Sequence, residues 1–203
     1  VNEVIELHLR SRDVIHSFTL NEMRTFVELG YGNGVFAPGL AVSKAELYQV
    51  RHHAVLGHGL GVQAVRANGR AGLKVGPAEN ATIALPDVAT ERNIRAALDA
   101  TRELNAPYLT VIPEGRYTEE YLKAAGADAP RFTEADLKTI STPVDFVGIN
   151  VYGPGAFVRA REKTPGYAQL PLPASYPHMK SSWLDFAPET LYWAPRQVEK
   201  LWN

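Results

Sequence analysis

Apolar residues at Val1, Val4, Ile5 and Leu9 recur close to every 3.6 positions, so the spacing predicts an amphipathic helix over the first dozen residues, closed by Arg10-Ser11-Arg12. Val14 to Leu20 is a short, β-branched run without a turn residue, the pattern of a buried strand ending at Asn21-Glu22. Gly30, Gly32, Gly34 and Pro38-Gly39 then punctuate a loop, and 47–67 returns to helical spacing with almost no breaker. Residues 73–80 read as another strand, weakened by Pro77, which has no N–H for a ladder. A helix is expected over 90–104, capped by Thr90. Tyr108 to Ile112 fits a strand and a helix end equally well. Helices are expected over 118–125 and 133–140, the second opened by a capping box of Thr133 and Asp136, with Asp in place of Glu. Val144 to Tyr152 is the strongest strand pattern. The prolines and aromatics of 153–195 predict a long surface loop, and a last helical turn or two is expected from Arg196.

Helices and strands therefore alternate, which implies parallel β/α units. About three strands are secure, whereas a closed barrel needs eight in roughly 250 residues. The expected fold class is α/β, part of a (β/α)8 TIM barrel. Residues 1–203 are expected to form one partial domain, without internal repeat or linker.

Composition narrows the chemistry. The 203 residues hold 21 Lys+Arg against 22 Asp+Glu, a formal net charge of −1, so no basic excess recommends a nucleic acid or an anionic membrane as partner. No Cys is present, which excludes disulfide scaffolds, thiol nucleophiles, zinc ribbons and iron–sulfur clusters within this sequence. No apolar run approaches the ~20 residues that span a bilayer, and the start lacks the basic-then-apolar order of a secretory signal. A cytoplasmic location is the expectation. The first residue is Val, so this N-terminus is expected not to be the gene's own.

Polar residues end all three secure strands: Asn21-Glu22, Glu79-Asn80, and Asn150 with Tyr152. In α/β proteins the site lies outside those strand ends, so the three clusters predict one shared site. Carboxylate, carboxamide and phenol, without a Ser/His pair or a metal cluster, suit sugar chemistry: a carboxylic acid protonates a glycosidic oxygen, and amides and phenols bind hydroxyls and neighbouring carboxylates. The plainer alternative is that Asn21-Glu22 caps a helix.

Thr19-Leu20-Asn21-Glu22 resembles the T-x-N-E-P acid/base motif of glycoside hydrolase family 1, the retaining β-glucosidases. Gly30-Tyr31 with Gly34-Val35-Phe36-Ala37-Pro38-Gly39 is similar to the loop after that motif. His52-His53-Ala54-Val55-Leu56-Gly57-His58 resembles the family's H-N-L-L-L-A-H helix, and 145–152 its D-F-x-G-x-N-Y-Y strand. Ser182-Trp183-Leu184-Asp185 before Pro188-Glu189 resembles G-W-E ahead of P-E-G. The resemblance implies an eight-stranded barrel of which this chain covers roughly the fourth to sixth β/α units, and hydrolysis of terminal β-linked glucose from oligosaccharides or aryl and alkyl glucosides. Position by position it implies Glu22 as acid/base, Asn21 on the sugar 2-hydroxyl, Tyr152 on the nucleophilic carboxylate, Asn150 and Asn80 lining the site, and Trp183 as an aromatic platform on the leaving-group side. No cofactor or metal is implied. The expected partners are the β-glucoside substrate and the remaining barrel segments or another copy of the chain.

Met23 replaces the motif's Pro, His16 stands where the strand often has Trp, and Glu79 where a residue is usually apolar. Strand alternation points Glu79 away from Asn80, towards a structural salt bridge rather than a second catalytic acid. The T-E-N-G motif of the nucleophile is not in these 203 residues. The segment alone is therefore expected to be inactive, since retaining hydrolysis needs a second carboxylate about 5–5.5 Å from the first. An inverting pair of Glu22 and Glu79, about 6.5–9.5 Å apart, is an alternative, as is a non-catalytic sugar-binding or interaction protein derived from the same barrel. His52, His53 and His58 are expected as structural or surface histidines, because their spacing does not bring three ligands to one helix face. The glycines of 30–34 lack the Lys of a phosphate loop.

Overall fold

The computed structural model describes residues 42–180 and 184–202. The first element among the described residues is α1, Lys44–Asn68, opened by a capping box in which Ser43 Oγ accepts the Glu46 N–H and the Glu46 carboxylate accepts the Ser43 N–H. Strands β1, Ala78–Asn80, and β2, Ile83–Pro86, follow. Helix α2, Glu91–Leu104, is capped by Thr90 as expected, and its small buried face of Ala96, Ala97 and Ala100 lets it lie close on β2. A π-helical turn, Ala106–Thr110, runs directly into α3, Val111–Glu114. Helix α4, Glu119–Ala125, and helix α5, Glu134–Ile140, come next, the latter with the expected Thr133/Asp136 box. Then follow β3, Gly148–Asn150, β4, Pro154–Ala160, β5, Tyr167–Leu170, and α6, Glu189–Trp202. Among the described residues no helix is long and apolar enough to cross a membrane.

The strands form two small sheets. β1 and β3 pair in parallel, with Ala78, Glu79 and Asn80 opposite Gly148, Ile149 and Asn150. β2 pairs in parallel with β4, which pairs antiparallel with β5. The parallel arrangement with intervening helices is the one expected from alternation. Behind β1 and β3 lies a core of Ala81, Ile83, Leu85, Leu109 and Ala194, against which Val147, Ile149, Val151 and the α6 side chains Trp193, Val198 and Trp202 pack. A second core joins α1 to α3 and α5 through Val55, Tyr108, Val111, Ile112, Tyr117 and Ile140.

Where β2, α2 and α6 meet lies a buried polar clamp. The Ala84 N–H donates to Thr101 Oγ1 at 2.9 Å, the Gln197 amide donates to the Ala84 carbonyl at 2.9 Å, and the Thr101 hydroxyl donates to Gln197 Oε1. Polar groups this deep are tolerated because each finds a partner.

The structure departs from the sequence expectations in several places. The strand expected over 73–80 is regular only at Ala78–Asn80. Upstream, the Val75 N–H is taken at 2.8 Å by the Asp145 carboxylate rather than by a backbone carbonyl, while the Asp145 N–H returns to the Val75 carbonyl at 2.8 Å. That same carboxylate meets Arg66 at 3.0 Å and Lys74 at 3.5 Å. The Val75 N–H, helped by these two cations, holds the Asp145 carboxyl below the usual carboxylate range. For the same reason the strand expected over 144–152 is regular only at Gly148–Asn150. Tyr108 to Ile112 proves to be helical, the end of the π-turn and the start of α3.

The expected loop over 153–195 holds β4, β5 and the first half of α6. Its prolines do not prevent this: Pro154 is the first residue of β4 and Pro165 lies between β4 and β5, positions where a missing N–H breaks no ladder bond. Helix α6 begins seven residues before Arg196 and continues through Pro195, whose ring is usually read as a helix boundary.

Candidate functional site

β1 and β3 run side by side in the same direction, so their last residues, Asn80 and Asn150, share one rim. The register places them opposite each other, and Asn150 Nδ2 donates to Asn80 Oδ1 at 3.2 Å. Successive residues of a strand alternate between faces. Ile149 and Ala81 belong to the core beside α6, and Asn80 and Asn150 fall on the opposite face. Tyr152, two residues beyond Asn150, is 55% exposed. Two neighbouring strand ends thus bring Asn80 and Asn150 together, with Tyr152 two residues further along the chain. Asn21, Glu22 and Trp183, the other three, lie outside the described residues, and so does His16.

Glu79 is in register with Ile149, which puts it on the core face and away from Asn80's side chain, as alternation predicts. Its Oε1 accepts the Asn80 N–H at 2.7 Å. The carboxylate thereby braces the backbone of a rim residue.

The strand break after Asn80 is held by Asn105, which no motif or spacing in the sequence singles out. Ala81 donates its N–H to the Asn150 carbonyl at 2.9 Å, the last rung of this ladder. Thr82 then pairs with the side chain of Asn105, which ends α2: Asn105 Oδ1 accepts the Thr82 N–H at 3.0 Å and Nδ2 donates to the Thr82 carbonyl at 2.7 Å. A second feature near the rim is an antiparallel bridge in which Phe186 N–H donates to the Pro177 carbonyl and Met179 N–H to the Leu184 carbonyl, both at 2.8 Å. His178 Nδ1 and Asp185 Oδ1 close its base at 2.7 Å. Gly153 faces the Asp185 backbone there, where a Cβ would stand 3.6 Å from the carbonyl oxygen. The His/Asp spacing of seven residues carried no signal on its own.

The histidines of α1 sit apart from this rim. His52 is buried, its Nδ1 3.0 Å from Tyr117 Oη and its Nε2 3.8 Å from Asp136. Burial pulls its pKa down, against the smaller pull of Asp136 in the other direction. Burial also pushes the Tyr117 phenol far up, and the His52–Tyr117 hydrogen bond ties α1 to the segment before α4. His53 Nε2 meets Gln49 Nε2 at 3.0 Å. Among the described residues no group of three His, Cys, Asp or Glu side chains is placed to hold a metal ion. A groove of about 550 Å³ runs between the start of β3 and α6, lined by Phe146, Val147, Ile149, Val198 and Trp202. Because Ile149 lines it, it lies on the core face and not with Asn80 and Asn150.

Parallel strands backed by helices, with amides converging at the C-terminal rim, define an α/β protein. Residues 6–195 match the model of glycosyl hydrolase family 1, and the chain belongs to that family. It is 30% identical over 191 residues to a 1,4-β-D-glucan glucohydrolase of Thermotoga neapolitana, covering 94% of this chain and 44% of that protein. It is 34% identical over 184 residues to a β-glucosidase of Agrobacterium sp., covering 86% of this chain and 39% of the relative. Among solved structures, a rice β-glucosidase superposes with a TM-score of 0.70 at 24% identity, covering 89% of this chain and 43% of its own. A family 1 β-glucosidase of Thermotoga maritima superposes with a TM-score of 0.67 at 23% identity, covering 92% and 40%. The chain therefore spans less than half the length of these relatives, and its fold is a partial segment of their (β/α)8 barrel.

Proposed function

We propose that the complete protein containing this segment is a retaining β-glucosidase that removes terminal β-linked glucose from oligosaccharides or aryl and alkyl glucosides. The observation that carries the reading is the Asn80–Asn150 amide pair on one rim of two parallel strands, in a chain of glycosyl hydrolase family 1. β-Glucosidases recur among the relatives, which supports glucose as the sugar.

In this reading Glu22 is the acid/base. The nucleophilic carboxylate, supplied from outside these 203 residues, attacks the anomeric carbon, the bond to the glycosidic oxygen breaks, and the Glu22 proton passes to that oxygen. Water then attacks the glycosyl ester, Glu22 takes the water's proton, and the nucleophile leaves as a carboxylate. Asn21 binds the 2-hydroxyl, a contact that strengthens in the transition state. Tyr152 donates its phenol to the nucleophilic carboxylate, Asn80 and Asn150 line the glucose site, and the Trp183 indole stacks on the leaving-group side.

The test is to assay the complete protein on an aryl β-glucoside and on cellobiose. Glucose release from both is expected. Sugar binding without turnover of either substrate would replace this reading with a non-catalytic binding protein.

A further inference from the structure

Resting on that reading for its kinetic arm, we infer that Asn105 is a positioning residue of the candidate site, acting through Thr82 to hold Asn80 opposite Asn150. Asn105 is fully buried. Its side chain offers one carbonyl oxygen and two N–H groups, and all three are engaged: Oδ1 with the Thr82 N–H, and Nδ2 with the carbonyls of Thr82 and Thr101, both at 2.7 Å. A carboxamide carries the same donor and acceptor as a peptide unit. Asn105 therefore replaces a neighbouring strand where the ladder of β1 and β3 ends and β2 has not begun.

Two further observations tie this clamp to the site. The Thr82 side chain packs closely over Gly155, where a Cβ would come within 2.2 Å of Thr82 Cγ2, so Thr82 has little room to shift in that direction. Asn80 is only two peptide units upstream, and its amide meets Asn150 at 3.2 Å. Asn105 itself is fixed by the turn that follows it: its carbonyl accepts the N–H groups of Tyr108 and Thr110, both at 3.1 Å, across the π-helical turn. π-Turns inside helices are frequent at functional sites. Here the turn places a helix-ending amide against a strand break 23 residues earlier in the chain.

The experiment is a double-mutant cycle in the complete protein, with Asn105→Ala, Asn80→Ala and the pair, assayed on an aryl β-glucoside well below each variant's unfolding temperature. Asn105→Ala is expected to lower kcat/KM about 10-fold to 100-fold, the scale of a misplaced binding group. With Asn80 already truncated, the same change is expected to cost less than about 2-fold, because residues acting through one another are not additive. Equal losses in both backgrounds overturn the proposal. If Asn105→Ala does not fold, Asn105→Asp, which keeps the acceptor for the Thr82 N–H, takes its place in the cycle; failure of both to fold assigns Asn105 a purely structural role and also overturns it. Crystal structures of the wild type and the variant read the positioning directly. Separation of the Asn80 and Asn150 amides in the variant supports the inference and an unchanged pair overturns it, even if the wild type turns over no glucoside and the β-glucosidase reading fails.

Discussion

Glu22→Gln in the complete protein is expected to slow hydrolysis of an alkyl β-glucoside or cellobiose by about 10²–10⁴-fold, the usual contribution of a general acid. An aryl glucoside with a strongly acidic phenol is expected to lose far less in the glycosylation step, because its leaving oxygen departs without a proton. The motivation is the placement of Glu22 at the end of Thr19-Leu20-Asn21-Glu22, directly after a strand pattern. The measurement is kcat/KM for the two substrate classes with both enzymes. Equal losses for both would mean that Glu22 only supports its loop. Met23 adds a backbone N–H where the family motif has proline, so the comparison also tests whether that change leaves the acid in working position.

Helix α1 supports a second large effect, this time on stability. At Gly59 the helix passes so close to the end of α5 that a Cβ would lie 2.1 Å from the Thr139 carbonyl oxygen and 2.9 Å from the Ile140 nitrogen. Both are backbone atoms and cannot rotate away. Gly59→Ala is therefore expected to force the helices apart and to cost about 1–3 kcal/mol. At Gly57 and Gly61, on the same helix, nothing among the described residues lies within 4 Å of the added carbon. There Ala is expected to stabilise by about 0.5–1 kcal/mol through helix propensity. Urea unfolding of the three variants beside the wild type, compared at constant m value, should give one loss and two gains. A loss at all three positions would show that α1 is packed on a further face.

The parts of this architecture that were legible in the sequence are those set by local patterns. Thr90 and the Thr133/Asp136 pair marked their helix starts because a capping side chain sits within three residues of the N–H it accepts. The rim position of Asn80 and Asn150 was legible because each closes a strand pattern, and the parallel order followed from alternation. What stayed hidden depends on partners far along the chain. The carboxylate of Asp145 replaces a ladder partner for Val75, 70 residues away, and so shortens both strands. Asn105 reads as an ordinary helix end until Thr82 is seen against it. β2 was missed because Ile83-Ala84-Leu85 is only three apolar residues before Pro86, and it becomes a strand by pairing with β4. β4 itself was masked by the surrounding prolines, although Ala156-Phe157-Val158 is a short apolar run between Gly155 and Arg159. Pro195 hid the true start of α6, whose first residues are committed by the apolar contacts of Trp193 and Ala194.

The most direct test of the central claim, that this segment belongs to a retaining β-glucosidase, is the configuration of the first glucose released. Proton NMR of the complete protein acting on an aryl β-glucoside, followed before mutarotation, resolves the two anomers. Double displacement through a glycosyl-enzyme delivers β-glucose first, and that is the expected result. Initial release of α-glucose would contradict the account and point instead to a single displacement by water, with two carboxylates set about 6.5–9.5 Å apart.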